Sequence, residues 1–203
     1  MEHVTRYKTI YELLFKQKNI FTDIFYSGVA VIMLTVFSNI QIPLWPVPVT
    51  MQTFGIFLVA FFFGSRKGAI AILAYISLGI AGFGVFASYK SGLSAILGPT
   101  GGYIVGFLAA VYTIGLLIEK GYGRSKKSIF FCLVIGNIII YALGLIGLWN
   151  YFPNESITKI LQWGIFPFLI GDTLKIFAAM ALFPILWKAG EKVHSSGSVI
   201  LRN

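Results

Sequence analysis

Charge is what this chain has least of. Of its 203 residues only 11% are charged, against 57% hydrophobic, with 19 Phe and a mean hydropathy of +0.84. A soluble domain carries about a quarter charged residues, so most of this surface must face something other than water. Cysteine occurs once, at Cys132 within an apolar run. That excludes a disulfide framework and a cysteine-built metal cluster, and Cys132 reads as a small buried hydrophobe. His3 and His194 lie in the polar ends without a recognisable partner. No Gly-x-x-x-x-Gly-Lys-Ser/Thr loop is present, so the chain has no phosphate cradle with which to use ATP. Gly121, Gly123 and Arg124 lack the strand and helix context of a dinucleotide motif. Gly-x-Ser-x-Gly, His-Glu-x-x-His and a pair of aspartates are missing too, which argues against proteolysis and metal-assisted hydrolysis. No metal site and no cofactor are expected.

What is present is a series of apolar runs, at 21–40, 50–63, 69–86, 101–118, 129–149 and 164–187. A bilayer core of roughly 30 Å takes about 20 apolar residues per helix, and the chain has room for six such spans and no separate soluble domain. The expected class is an all-α integral membrane protein of the cell membrane, in contact with lipid. The first run is too long for the apolar core of a cleaved leader. The formal charge of +9 raises the question of nucleic acid, but its distribution answers it. Thirteen of the 16 Lys/Arg fall in the N-terminal segment, the turn at Arg66 and Lys67, the connection 120–127 and the C-terminal tail. Only Lys90 and Lys159 fall on the other side, with Lys175 inside a span. The positive-inside rule then puts both termini in the cytoplasm, with a segment 1–20, a membrane domain 21–187 and a tail 188–203. Charge spread in this way describes orientation, and nucleic acid is excluded as a partner.

Local chemistry adds detail. In the N-terminal segment Ile10, Leu13 and Leu14 recur at helical spacing, as in a short helix on the cytoplasmic surface. Pro43, Pro46 and Pro48 in "IPLWPVPVT" force a non-helical external loop, with Thr50 as N-cap of the next helix. The turn "GSRKG" makes spans two and three an antiparallel pair. The stretch "LGIAGFGVFASYKSGLSAILGPTGG" is glycine-rich irregular backbone, either a lid over a cavity or a plain connector. Gly98, Gly102, Gly106 and Ala110 lay a smooth stripe along span four for close helix packing. Trp45, Trp149 and Trp163 mark the external boundary and Trp187 the internal one; Trp45 and Trp163 also stand where a ligand could be faced. Glu155 and Lys159 read as a solvated pair, and Asp23 as a favourable acid at a helix start.

One place breaks the rule that charge stays out of apolar runs. "GDTLK" sets Asp172 and Lys175 three residues apart on one helix face, about 12 Å below the external entry at roughly 1.5 Å per residue. Charge at such depth costs several kcal/mol unless paired or hydrated. Either the two residues form an ion pair that satisfies only itself, or they form the polar end of a ligand site. Gln52, Ser88, Tyr89 and Tyr103 are further polar groups on the same side. A channel or proton-transfer enzyme would need polar positions through the full depth of several helices. Here they cluster on one side, which favours binding.

Taken in order, "IPLWPVPVTMQTF", "GSRKG", "AYISLGIAGFGVF", "GPTGGYIVGF" and "GDTLK" resemble the BioY proteins, the biotin-binding S components of energy-coupling factor (ECF) transporters. The resemblance covers residues 25–190. It implies six helices around an external-facing biotin site, with Lys175 at the biotin carboxylate, Asp172 at a polar group such as the ureido ring, and Ser88 within the closing loop. It also implies a transmembrane coupling subunit and two ATPase subunits as partners. The same architecture with riboflavin or thiamin as ligand is the alternative. This chain departs from the pattern at Gly84, where many members have proline, and on its first helix, where the small-residue contact Ala-x-x-x-Ala is replaced by Gly28/Ile32 and Ala30/Leu34.

Overall fold

The computed structural model describes residues 9–14 and 19–200, with residues 194–200 by their backbone alone. His3, Arg6, Lys8, Lys16, Lys18 and Arg202 lie outside the described residues, as does the side chain of His194. The chain runs α1 (Ile10–Leu14), α2 (Ile20–Asn39), β1 (Gln41–Ile42), β2 (Val49–Thr50), α3 (Gln52–Ile80), a 3-10 turn (Ala87–Tyr89), α4 (Leu93–Ile96), α5 (Gly101–Glu119), α6 (Lys126–Tyr151), α7 (Ile157–Gly164) and α8 (Phe166–Ile200). Five stretches are long and apolar enough to cross a membrane: Ile20–Asn39, Gln52–Ile80, Gly101–Glu119, Lys126–Tyr151 and Ile157–Val193. Phe21, Ile32, Ile138 and Ile170 are each exposed on the outside of the bundle, as expected of side chains whose solvent is lipid.

α3 is continuous only in name. At Gly64 the backbone takes φ 76° and ψ −162°, open to glycine without cost, and the chain turns back on itself. Gln52 Nε2 donates to the Tyr75 hydroxyl at 2.6 Å, although a straight helix would hold the two about 34 Å apart. The expected antiparallel pair around "GSRKG" is therefore present. The Glu119 carboxylate at the end of α5 caps its second arm, accepting from Ser65 N–H at 2.7 Å and Ser65 Oγ at 2.8 Å. That arm stops at Ile80, short of the expected 86, because Gly82 has a positive φ of 105°.

α5 is the central helix, packed on both arms of α3 and on α6. Its small-residue stripe serves an internal contact. A Cβ on Gly147 of α6 would lie 2.7 Å from the Gly102 Cα, and one on Gly106 would lie 3.0 Å from the Ile140 Cα. In a membrane, where lipid removes the hydrophobic drive between helices, such backbone approach supplies the packing energy. Phe61 and Phe183 stack at 3.7 Å between α3 and α8. Cys132 is buried at 2% exposure, as expected of a small hydrophobe.

Several local expectations change. Thr50 is not the N-cap of α3; Met51 holds that position, and Thr50 pairs with Gln41 across the two-stranded ribbon closing the proline-rich connection. Thr50 Oγ1 still accepts from Gln52 N–H at 3.1 Å. α1 is docked on protein through Ile10 and Leu13 against Trp187, with Tyr11 fully buried, so its apolar face is used up within the fold. Asp23 does more than favour a helix start: it pairs with Lys67 Nζ at 2.5 Å and accepts from the Tyr11 hydroxyl at 2.6 Å. Glu155 and Lys159 form the expected pair at 2.8 Å. Trp45 and Trp163 pack on one another, centroids 5.1 Å apart, rather than on a cavity.

Replacing Gly102 by valine is expected to destabilise the detergent-purified protein by about 1–3 kcal/mol in thermal unfolding, because backbone stands where the side chain must go. Gly28→Ala, inside α2 with nothing within 4 Å of the added methyl, is expected to leave the transition unmoved or raise it slightly.

Candidate functional site

Asp172 and Lys175 lie one turn apart on α8, their side chains 3% and 8% exposed, and Lys175 Nζ donates to Asp172 Oδ1 at 2.7 Å. Neither could stay charged there on the other's account alone, since two buried ions lose more in hydration than one contact returns. The remainder comes from three other elements. Lys175 Nζ also donates to Thr53 Oγ1 at 2.9 Å and to the Thr50 carbonyl at 2.5 Å, so its three N–H donors meet three acceptors. Asp172 Oδ1 accepts from Thr53 Oγ1 at 3.0 Å, and Asp172 Oδ2 from the Tyr141 hydroxyl of α6 at 2.6 Å. Among the described residues no second donor reaches Oδ2, which can accept one more hydrogen bond. The cluster is neutral as a whole.

This cluster forms one end of a cavity. Tyr103, Ile104 and Phe107 of α5, Ile140 and Tyr141 of α6 and Phe168 of α8 give it apolar and aromatic walls. Val47, Pro48 and Thr50 of the proline-rich connection form a further side. Phe86, Ala87, Ser88, Lys90, Ala95 and Thr100, all from the glycine-rich stretch between α3 and α5, complete it. Of the two readings of that stretch, lid or connector, its place in the cavity wall fits a lid. It is held by the C-terminal end of α2: Ser38 Oγ donates to the Val85 carbonyl at 2.8 Å, and Asn39 Oδ1 accepts from Tyr89 N–H at 2.9 Å. Gln41 Nε2, just beyond, donates to Ser88 Oγ at 2.7 Å. These bonds fix Ser88 and Tyr89 in left-handed backbone, φ 58° and 55°, which non-glycine residues rarely adopt.

The expected site residues fare differently. Asp172, Lys175, Gln52, Ser88 and Tyr103 all line the cavity, but Tyr89 is not among its lining residues and is 72% exposed. Tyr103 presents its ring, while its hydroxyl is spent on the Gly164 carbonyl at 2.8 Å, tying α5 to the α7–α8 junction. Gln52 commits its amide N–H to Tyr75, whose own hydroxyl donates to the Val85 carbonyl at 2.8 Å, and no donor among the described residues reaches Gln52 Oε1. Thr53 and Tyr141, the residues closest in chemistry to the ion pair, carry no signal of their own in the sequence. Gly84, the departure from the family pattern, packs against the Tyr89 carbonyl, 2.8 Å from where a Cβ would stand.

A family model described as the BioY family matches residues 10–192. This chain belongs to that family. Among its relatives, the biotin transporter BioY of Thermotoga maritima is 40% identical over 156 residues, covering 75% of this chain and 88% of its own. The biotin transporter BioY2 of Lactococcus lactis is 34% identical over 151 residues, with 73% and 79% covered. A crystal structure of the S-component for biotin from an ECF-type ABC transporter shares the fold, with a TM-score of 0.72 at 24% identity over 82% of this chain and 91% of that one. These relatives are named as transporters, and with its long apolar helices this BioY protein is a multi-pass protein of the cell membrane.

Breaking the ion pair on one side only is expected to be costly. Asp172→Asn or Lys175→Met leaves a charge buried without its partner, a loss of about 3–5 kcal/mol in ligand-free thermal unfolding. The double variant is expected to recover part of that loss, and a double variant less stable than both singles would contradict the neutral-cluster account.

Proposed function

We propose that this BioY protein captures biotin in the cavity above Asp172 and Lys175, as the substrate-binding subunit of an ECF-type transporter for biotin uptake. The observation that carries this reading is the composition of the site: a compact neutral polar cluster closing one end of a cavity otherwise walled by Tyr103, Phe107, Ile140 and Phe168. Biotin has the matching division, a fused ring bearing two N–H donors and a carbonyl, and an apolar chain. Asp172 Oδ2 and the unoccupied Gln52 Oε1 are acceptors for ring N–H groups. Ser88 at the lid and the Tyr103 ring are contacts along the molecule, and Tyr89 is a lid residue rather than a ligand contact.

The topology that goes with this reading is six crossings, with both termini cytoplasmic. The reversal at Gly64 supports the count, because α2, the two arms of α3, α5, α6 and α8 make six passes. The Lys/Arg distribution supports the orientation. Movement of biotin across the membrane then depends on a transmembrane coupling subunit and two ATPase subunits. The absence of a phosphate loop from this sequence fits that division of labour.

The test is direct binding to the detergent-purified chain. Biotin is expected to bind tightly and to be displaced by neither riboflavin nor thiamin. Asp172→Ala is expected to weaken biotin about 100-fold, near 3 kcal/mol, since a ring donor and Tyr141 lose their acceptor together. Displacement by riboflavin or thiamin, or an unchanged affinity in Asp172→Ala, would contradict the proposal.

A further inference from the structure

The cavity wall carries two lysines in opposite circumstances. Lys175 is buried, neutralised by Asp172, and has all three of its N–H donors in use. Lys90 is exposed at the rim of the lid, and among the described residues no acceptor or carboxylate meets its ammonium group. Its backbone is nevertheless fixed: Lys90 N–H donates to the Ala87 carbonyl at 3.3 Å, and its own carbonyl accepts from Phe86 N–H at 3.1 Å. A free cation on an anchored base thus stands at the mouth. Lys159, by contrast, is closed off by Glu155 at 2.8 Å. Asp172 is the one acidic residue lining the cavity, so the wall as a whole carries one surplus positive charge.

Resting on the reading of the cavity as a biotin site, we propose that Lys90, rather than Lys175, receives the ligand's carboxylate and is the residue that makes the site prefer an anion. A carboxylate brought to Lys175 would have to displace Asp172, Thr53 or the Thr50 carbonyl, and would stand as a second negative charge beside Asp172. At Lys90 it displaces nothing. The ammonium there stays largely hydrated until the ligand arrives, which keeps its desolvation cost low and lets its field steer anions toward the mouth. Biotin then lies with its ring on the Asp172 cluster and its valerate chain directed outward. This reverses the assignment that family resemblance alone suggests for Lys175, whose work is to hold the Asp172 carboxylate in place.

The experiment compares biotin with biotinamide, in which the carboxylate is capped as a neutral amide, on the full-length protein in detergent. Wild type is expected to bind biotin about tenfold more tightly than biotinamide, a preference that shrinks as salt rises. Lys90→Met is expected to abolish both the preference and its salt dependence by weakening biotin alone. Unchanged biotinamide binding shows that the variant is folded. Lys175→Met is expected to weaken both ligands by the same factor. A biotin preference that survives in Lys90→Met, or disappears in Lys175→Met, overturns the assignment while leaving the biotin site intact. Wild type that binds neither ligand overturns the biotin reading itself, and this assignment with it.

Discussion

An ammonium and a carboxylate can remain inside an apolar bundle only while every polar valence they carry is answered, and most of this fold is arranged around that demand. Lys175 needs the Thr50 carbonyl, which exists as a free acceptor because the proline-rich connection ends in a two-residue ribbon just before α3. It also needs Thr53, one turn into α3, and Asp172 needs Tyr141 from α6. Three separately folded segments therefore have to converge on one turn of α8. Satisfying the pair in this way gives the cavity a polar end fixed in place before any ligand arrives, so little reorganisation is left for binding to drive.

The convergence depends in turn on how closely the helices can approach. α5 passes α6 with Gly102 against Gly147 and Gly106 against Ile140, which brings Tyr103 and Tyr141 to the same cavity from adjacent helices. At the other end of the bundle the reversal at Gly64 is closed by Glu119, which ties the end of α5 to the start of the second arm of α3. Tyr75 on the second arm then reaches Gln52 at the start of the first, and through Val85 reaches the lid. The glycines act as spacers whose value is the polar contacts they permit elsewhere.

Much of this was legible in the sequence. Asp172 and Lys175 declared themselves because charge within an apolar run is conspicuous, and the stripe from Gly98 to Ala110 and the "GSRKG" turn because their spacing is physical information. Tyr141 was not legible: it stands in "IIIYALG", where a tyrosine reads equally well as a membrane-facing aromatic, and its direction is set by how α6 is rotated against α8. Thr53 was hidden likewise, as a hydroxyl at a helix start. Tyr103 and Tyr89 are legible as polar groups on the same side of the molecule, but sequence shows that a hydroxyl exists and not what it already bonds, as the Tyr103 hydroxyl bonds the Gly164 carbonyl. Asp23 was read from its position alone, while its partner Lys67 arrives from a turn 44 residues further on.

No residue of α2 lines the cavity, yet the bonds from Ser38 and Asn39, with Gln41 just beyond, are what keep the lid in its unusual backbone. α2 also has the least company of the long helices, with Phe21, Ile24, Phe25 and Ile32 facing outward. Access to the ligand is thereby delegated to the helix most open to its surroundings. The helix with the most outward-facing apolar surface is thus also the one hydrogen-bonded to the stretch that walls the cavity.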